Sequence, residues 1–112
     1  MGLFFKKTEE EKYLKFKPSA LGGGFAIVGF NGSVSTVNIP ETYKNKPVIE
    51  IASGIFKFSN INKINIPETI ITIGAGAFDG CKKLNNLVFE ANSGLTKIED
   101  NVFSNTAFDK VN

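Results

Sequence analysis

The segment Ile61–Leu84 reads INKINIPETIITIGAGAFDGCKKL. It opens on alternating apolar and polar residues, passes an Ile-Pro step, and runs through Ile71–Gly80, ITIGAGAFDG, into Cys81. The β-branched residues leading into Gly74, Gly76 and Gly80 raise two readings. One is a loop that cradles phosphate; the other is a turn that serves the fold. A dinucleotide fingerprint requires G-x-G-x-x-G opening a helix inside a βαβ unit. Here the spacing is G-x-G-x-x-x-G. No acidic residue ending a second strand follows in a helical context, so the fold reading is favoured.

The same pattern recurs on both sides of this segment. Val34 opens VSTVNIPET, Ile61 opens INKINIPET, Leu84 opens LNNLVFEAN and Phe108 opens a shortened FDKVN, at spacings of 27, 23 and 24 residues. Each full copy has apolar residues at its first, fourth and sixth positions: Val34, Val37 and Ile39; Ile61, Ile64 and Ile66; Leu84, Leu87 and Phe89. The fourth and sixth share one face of a strand, since side chains alternate along it. Thr36 and Asn38, Lys63 and Asn65, and Asn86 and Val88 then face the other way. A second half follows in each copy: EIASGIF at 50–56, TIGAGAF at 72–78 and KIEDNVF at 97–103. Ile51, Ile73 and Ile98 fill one apolar column, and Phe56, Phe78 and Phe103 another.

Aligning the copies assigns the glycines. The slot of Gly74 holds Ala52 and Glu99 elsewhere, and the slot of Gly80 holds Phe58 and Asn105. Both glycines therefore read as optional. Only the slot of Gly76 is restricted, to Gly54, Gly76 and Asn101. Gly and Asn most readily take positive φ, so this slot predicts a left-handed turn that returns the Phe to the core. A repeat of this size cannot bury its own apolar side. Neighbours must stack and share one core, which defines a solenoid. The Phe column predicts a spine of stacked rings. The first copy is longer because Tyr43–Pro47, YKNKP, lies between its halves.

These residues resemble the BspA-type leucine-rich repeat family: a strand ending in Ile-Pro, an Ile-Gly turn, Ala-Phe, Gly-Cys and the next Leu. Gly29–Phe56 is similar to an opening repeat of such proteins, and the resemblance extends over residues 13–112. The third copy departs from it, with Glu90 in place of the proline and Asn105-Thr106 in place of Gly-Cys. The resemblance implies a right-handed stack of short parallel strands joined by short turns and 3-10 segments. The expected organisation is a flexible charged tail at 1–12, an N-terminal β-hairpin cap at 13–33, and repeats at 34–60, 61–83, 84–107 and a partial 108–112. The hairpin is read from two β-rich runs, Tyr13–Lys17 and Phe25–Phe30, separated by a Pro/Gly-rich loop.

Composition narrows the function classes. The chain has 112 residues, 42% of them hydrophobic and 21% charged, which fits one domain with a modest core. Phenylalanine occurs 11 times. The net charge of +2, from 13 basic and 11 acidic residues, argues against an electrostatic nucleic-acid or membrane binder. Every basic residue is lysine, which removes the guanidinium suited to bidentate phosphate and guanine contacts. No apolar run approaches membrane-spanning length, and the first residues, MGLFFKKTEEEKY, form no signal peptide. The expected setting is cytoplasmic for the chain as it stands, or the cell surface if an export signal has been removed.

Without histidine, Ser-His-Asp and Cys-His catalysis and imidazole metal ligation are excluded. The single Cys81 forms no internal disulfide and reads as a buried small hydrophobe. The clusters Glu9–Glu11 and Glu99-Asp100 read as solvated charge rather than an acid/base pair. Gly22–Gly24 lacks the following Lys-Ser/Thr of a P-loop. The expectation is therefore a non-enzymatic protein with no cofactor and no metal. Its protein-binding face would carry Thr36, Asn38, Lys63, Asn65, Asn86, Val88, Lys110 and Asn112. The resemblance implies a surface or secreted adhesin-like protein that binds host matrix or cell-surface partners. The alternative is a structural spacer that self-associates as a homodimer through an open strand at Phe108–Asn112.

Overall fold

In a computed structural model the described residues are 9–110, with the side chains of 109 and 110 left aside. They form a mostly β solenoid built from two sheets joined by turns. The strands are β1 (Leu14–Pro18), β2 (Phe25–Phe30), β3 (Thr36–Asn38), β4 (Thr42–Tyr43), β5 (Lys46–Ile51), β6 (Lys63–Ile66), β7 (Thr72–Ile73), β8 (Asn86–Phe89) and β9 (Lys97–Ile98). One sheet has the order β3-β6-β8. The other has the order β1-β2-β5-β7-β9, with β4 paired to β5. Each copy thus contributes one strand to each sheet, the first adding β4 as a second, and all pairings between copies are parallel.

β1 and β2 form an antiparallel hairpin with a register shift between Lys15 and Phe16, and β2 pairs with β5 in parallel. Ser19 ties the hairpin loop to the first copy by donating to Glu50 at 2.7 Å. The insert Tyr43–Pro47 doubles back as β4, and Tyr43 stacks on Phe16 with centroids 4.1 Å apart.

The core lies between the two sheets. Val37, Ile64, Ile51, Ile73, Phe56 and Phe78 are all fully buried. The Phe spine is present: Phe56 and Phe78 stack at 5.3 Å, and Phe78 and Phe103 at 5.9 Å, with rings within 10° of parallel. Phe30 extends it at one end and Phe108 at the other. Burial declines along the stack. Ile98 is 47% exposed and Phe89 37%, although their counterparts in the central copy are fully buried. No strand among the described residues pairs beyond β8 or β9.

The turns between the sheets form a third wall. The N–H groups of Gly54, Phe56 and Phe58 donate to the carbonyls of Ala75, Ala77 and Asp79. Those of Gly76, Phe78 and Gly80 donate to Asp100, Val102 and Ser104 in the same sense. Gly54, Gly76 and Asn101 take φ of +66°, +63° and +59°, the left-handed turn expected of that slot. A second left-handed column was not anticipated. Phe58, Gly80 and Asn105 take φ of 61°, 78° and 57°.

Two expectations, on the glycines and on the last segment, are corrected. Gly74 and Gly80 are not optional. A Cβ on Gly74 would lie 2.5 Å from the Ser53 nitrogen, and one on Gly80 would run into the Phe58 ring. In the segment expected as a charged tail, Glu9–Tyr13 is one helical turn with no buried residue. Its first-turn glutamates suit the positive helix end, and Lys12 pairs with Glu9 at 3.1 Å; residues 1–8 lie outside the described part. Finally, Ala107–Lys110 is a 3-10 helix rather than a strand.

Candidate functional site

The outward face of the β3-β6-β8 sheet is assembled by register. Thr36 pairs with Lys63 and Lys63 with Asn86; Asn38 pairs with Asn65 and Asn65 with Val88. Two rows therefore cross three strands, at the ~4.8 Å spacing of neighbouring strands. The inward neighbours Val37, Ile64 and Ile66 are fully buried, so strand alternation forces these six side chains outward. Thr36, Asn38, Asn86 and Val88 are exposed, while Lys63 and Asn65 are half-buried between neighbouring strands.

The central row is tied laterally: the Asn65 side-chain amide donates to the Asn38 side-chain carbonyl. Such a bond fixes two amides in one orientation and leaves their other donors and acceptors for solvent or a partner. Lys63 makes no ion pair with a described residue. The face is polar, carries one cation across its two rows, and ends in the apolar Val88, 38% exposed.

Six of the eight anticipated residues are thus brought together. Lys110 belongs to the 3-10 helix and continues neither row. Asn112 lies outside the described residues. The anticipated face omitted Asn62 and Asn85. Both are exposed, and they extend the ladder below the strands: Asn62 N–H donates to Ser35 and Asn85 N–H to Asn62. Their signal was available, since the second position of every copy is polar: Ser35, Asn62 and Asn85.

The face carries one hydroxyl and one amine, Thr36 and Lys63, and no carboxylate or thiol among its six residues. Cys81 is fully buried, its Sγ donating to the Phe56 carbonyl at 2.9 Å, with the Ser59 hydroxyl 3.3 Å away. Burial pushes its thiol pKa up, against the lowering effect of the Ser59 hydrogen bonds. The group is a protonated core residue. Glu99 is engaged by Lys97 at 3.1 Å on the surface. No three His, Cys, Asp or Glu side chains among the described residues cluster to hold a metal.

The family profile described as BspA type Leucine rich repeat region (6 copies) matches residues 29–112. No curated protein sequence matches. Among solved structures, the chain is similar to the leucine-rich repeat protein TpLRR of T. pallidum, with 27% identity and a TM-score of 0.79 over 88% of this chain and 46% of that one. It is similar to a leucine-rich repeat protein from Bacteroides capillosus, with 24% identity and a TM-score of 0.66 over 78% of this chain and 67% of that one. It is also similar to a leucine-rich cell surface protein from Faecalibacterium prausnitzii, with 22% identity and a TM-score of 0.73 over 95% of this chain and 30% of that one. The chain spans about half the length of the first of these structures.

Proposed function

The chain belongs to the BspA-type leucine-rich repeat family, and on that premise we propose that it is a non-enzymatic protein-recognition module of a cell-surface or secreted adhesin-like protein. Its partner is a host matrix or cell-surface protein, bound on the outward face of β3, β6 and β8. The observation that carries this reading is the parallel register that lines Thr36, Lys63 and Asn86, and Asn38, Asn65 and Val88, into two rows. Solenoid repeats recognise proteins by combining outward strand residues of successive copies into one extended surface. The name of the Faecalibacterium prausnitzii structure, a cell surface protein, is in keeping with this setting.

The test is capture of immobilised matrix proteins by the wild-type chain and by a Lys63→Glu/Asn65→Asp/Asn86→Asp variant. Because Lys63 and Asn65 are half-buried and Asn65 donates to Asn38, the variant's melting temperature is measured beside capture, and only a folded variant counts. Loss of capture by the variant supports the face; equal capture removes it.

A second reading is a self-associating scaffold. What favours it is apolar exposure at one end of the stack, where Val88 is 38%, Phe89 37% and Ile98 47% exposed. Sedimentation distinguishes the two, since only this reading requires a dimer.

A further inference from the structure

β1 is an edge strand: β2 pairs with it on one side and no described strand lies on the other. A row of unpaired backbone N–H and C=O groups is a template for another extended segment. Along this edge runs a groove of about 430 Å³, lined among others by Lys12, Lys15, Phe16, Lys17, Val28 and Tyr43. Its aromatic wall is built of packed rings. Phe16 and Tyr43 stack at 4.1 Å with rings 11° apart, and Phe25 meets Tyr43 edge-on at 4.9 Å.

The charge along β1 is positive, while the helical turn at the Tyr13 end of the groove carries Glu9, Glu10 and Glu11. Lys15 and Lys17 are exposed and make no ion pair with a described residue, whereas Lys12 is engaged by Glu9. Lys44 adds a further cation over the Tyr43 ring at 5.4 Å. Glu11 is the one acidic residue in the lining, and it already has an interaction within the chain. Lysines and a proline on an edge strand keep two like edges apart, and Lys15, Lys17 and Pro18 do that here. Protection of this kind needs no groove and no aromatic wall. The same lysines that repel a second copy attract a segment of opposite charge.

We propose that the β1 edge is a second recognition surface, separate from the β3-β6-β8 face, which takes up an extended acidic peptide as an added strand. Main-chain hydrogen bonds to β1 supply the pairing. Lys15 and Lys17 select for acidic side chains, and the Phe16–Tyr43 wall receives an apolar side chain of the peptide. The extra residue of the register shift, Val28, lies in β2, so the outer edge of β1 is continuous; at five residues ending in Pro18 it holds only a short added strand, and the binding is weak.

The probe is a labelled eight-residue peptide alternating glutamate with valine, followed by fluorescence anisotropy. Binding is expected to weaken by about tenfold or more in the Lys15→Glu/Lys17→Glu variant, and to fade in high salt. Both lysines are exposed, so the variant's melting temperature should match the wild type's. A version with N-methylated backbone amides cannot pair with the edge and should not bind. Equal binding by the N-methylated peptide, by a lysine–valine counterpart, or by the doubly substituted chain overturns the proposal. So does a single-stranded oligonucleotide that binds as tightly as the peptide. Because the probe never touches Lys63 or Asn65, failure here leaves the strand-face reading standing, and the reverse also holds.

Discussion

Gly74 shows what the aligned copies conceal. Slot by slot it is exchangeable, since Ala52 and Glu99 occupy the same position. In space it is pressed against the preceding copy, where an added Cβ would sit 2.5 Å from the Ser53 nitrogen and 2.9 Å from the Ala52 carbonyl carbon. Backbone atoms cannot swing aside as side-chain ends can. Gly74→Ala is expected to cost about 1–3 kcal/mol in chemical denaturation, the range of overpacked sites. Gly54→Ala meets no atom within 4 Å but sits at φ +66°, and should cost about 1–2 kcal/mol from the left-handed backbone alone. A Gly74→Ala protein as stable as wild type would remove the close approach. The slot of Gly76 was legible because its constraint is local backbone geometry, visible in every copy. The constraint on Gly74 comes from the backbone of a neighbouring copy, and that on Gly80 from the Phe58 ring added to its own left-handed φ of 78°; no alignment of slots contains the contacts with a neighbour. Cys81 is a simpler residue-scale case. Burial raises its thiol pKa in the folded chain, so the unfolded chain ionises first. Its stabilising contribution is complete below the ordinary thiol range and is lost as pH rises through the folded value. Wild type should therefore lose stability on the alkaline side relative to Cys81→Ser, whose hydroxyl does not titrate there. Parallel denaturation curves for the two proteins across that range would contradict the assignment.

The elements are held by columns rather than by strand length. β7 and β9 contain two residues each, too short to persist without the Phe spine and the turn ladder beside them. The spine was readable because Phe56, Phe78 and Phe103 repeat at a fixed distance from Ile51, Ile73 and Ile98. What the repeat could not supply is the environment of each copy. Phe78 has a stacked ring on both faces and is fully buried; Phe103 has Phe78 stacked on one side and Phe108 edge-on, and is half-buried. Phe78→Ala should cost about 3–5 kcal/mol, as for a sealed core phenylalanine, and Phe103→Ala clearly less. Thermal unfolding of the two variants ranks them, and an equal or reversed ranking would mean that burial at the third copy is complete in solution. Part of the candidate face was legible for the same reason as the spine: period-two alternation places Thr36, Lys63 and Asn86 opposite the core. Lys110 does not extend either row because Ala107–Lys110 is a 3-10 helix, and the five-residue pattern FDKVN from Phe108 carries no signal that separates helix from strand.

At the scale of the whole molecule, the stack has a direction. In the turns at 54–58 and 76–80 every inter-copy bond runs from an N–H of the earlier copy to a carbonyl of the later one, whereas in the turn after β8 Gly94 N–H donates back to Glu68. The last turn therefore presents donors: the N–H groups of Asn101 and Phe103 have no acceptor among the described residues. A second copy meeting this end through a twofold axis would bring donors against donors, whatever the β8 and β9 edges gained by pairing. Each buried N–H left without an acceptor costs about 1–3 kcal/mol, which offsets much of what covering Phe89 and Ile98 would contribute. The polarity thus separates the two functional readings. Protein recognition on the strand face predicts a monomer in sedimentation velocity at tens of micromolar, with fast hydrogen exchange at the Phe103 amide and slow exchange at Phe78, whose N–H donates to Val102. A dimer in which the Phe103 amide becomes protected would show that the last turn finds an acceptor in the second copy, and the scaffold reading would then take precedence.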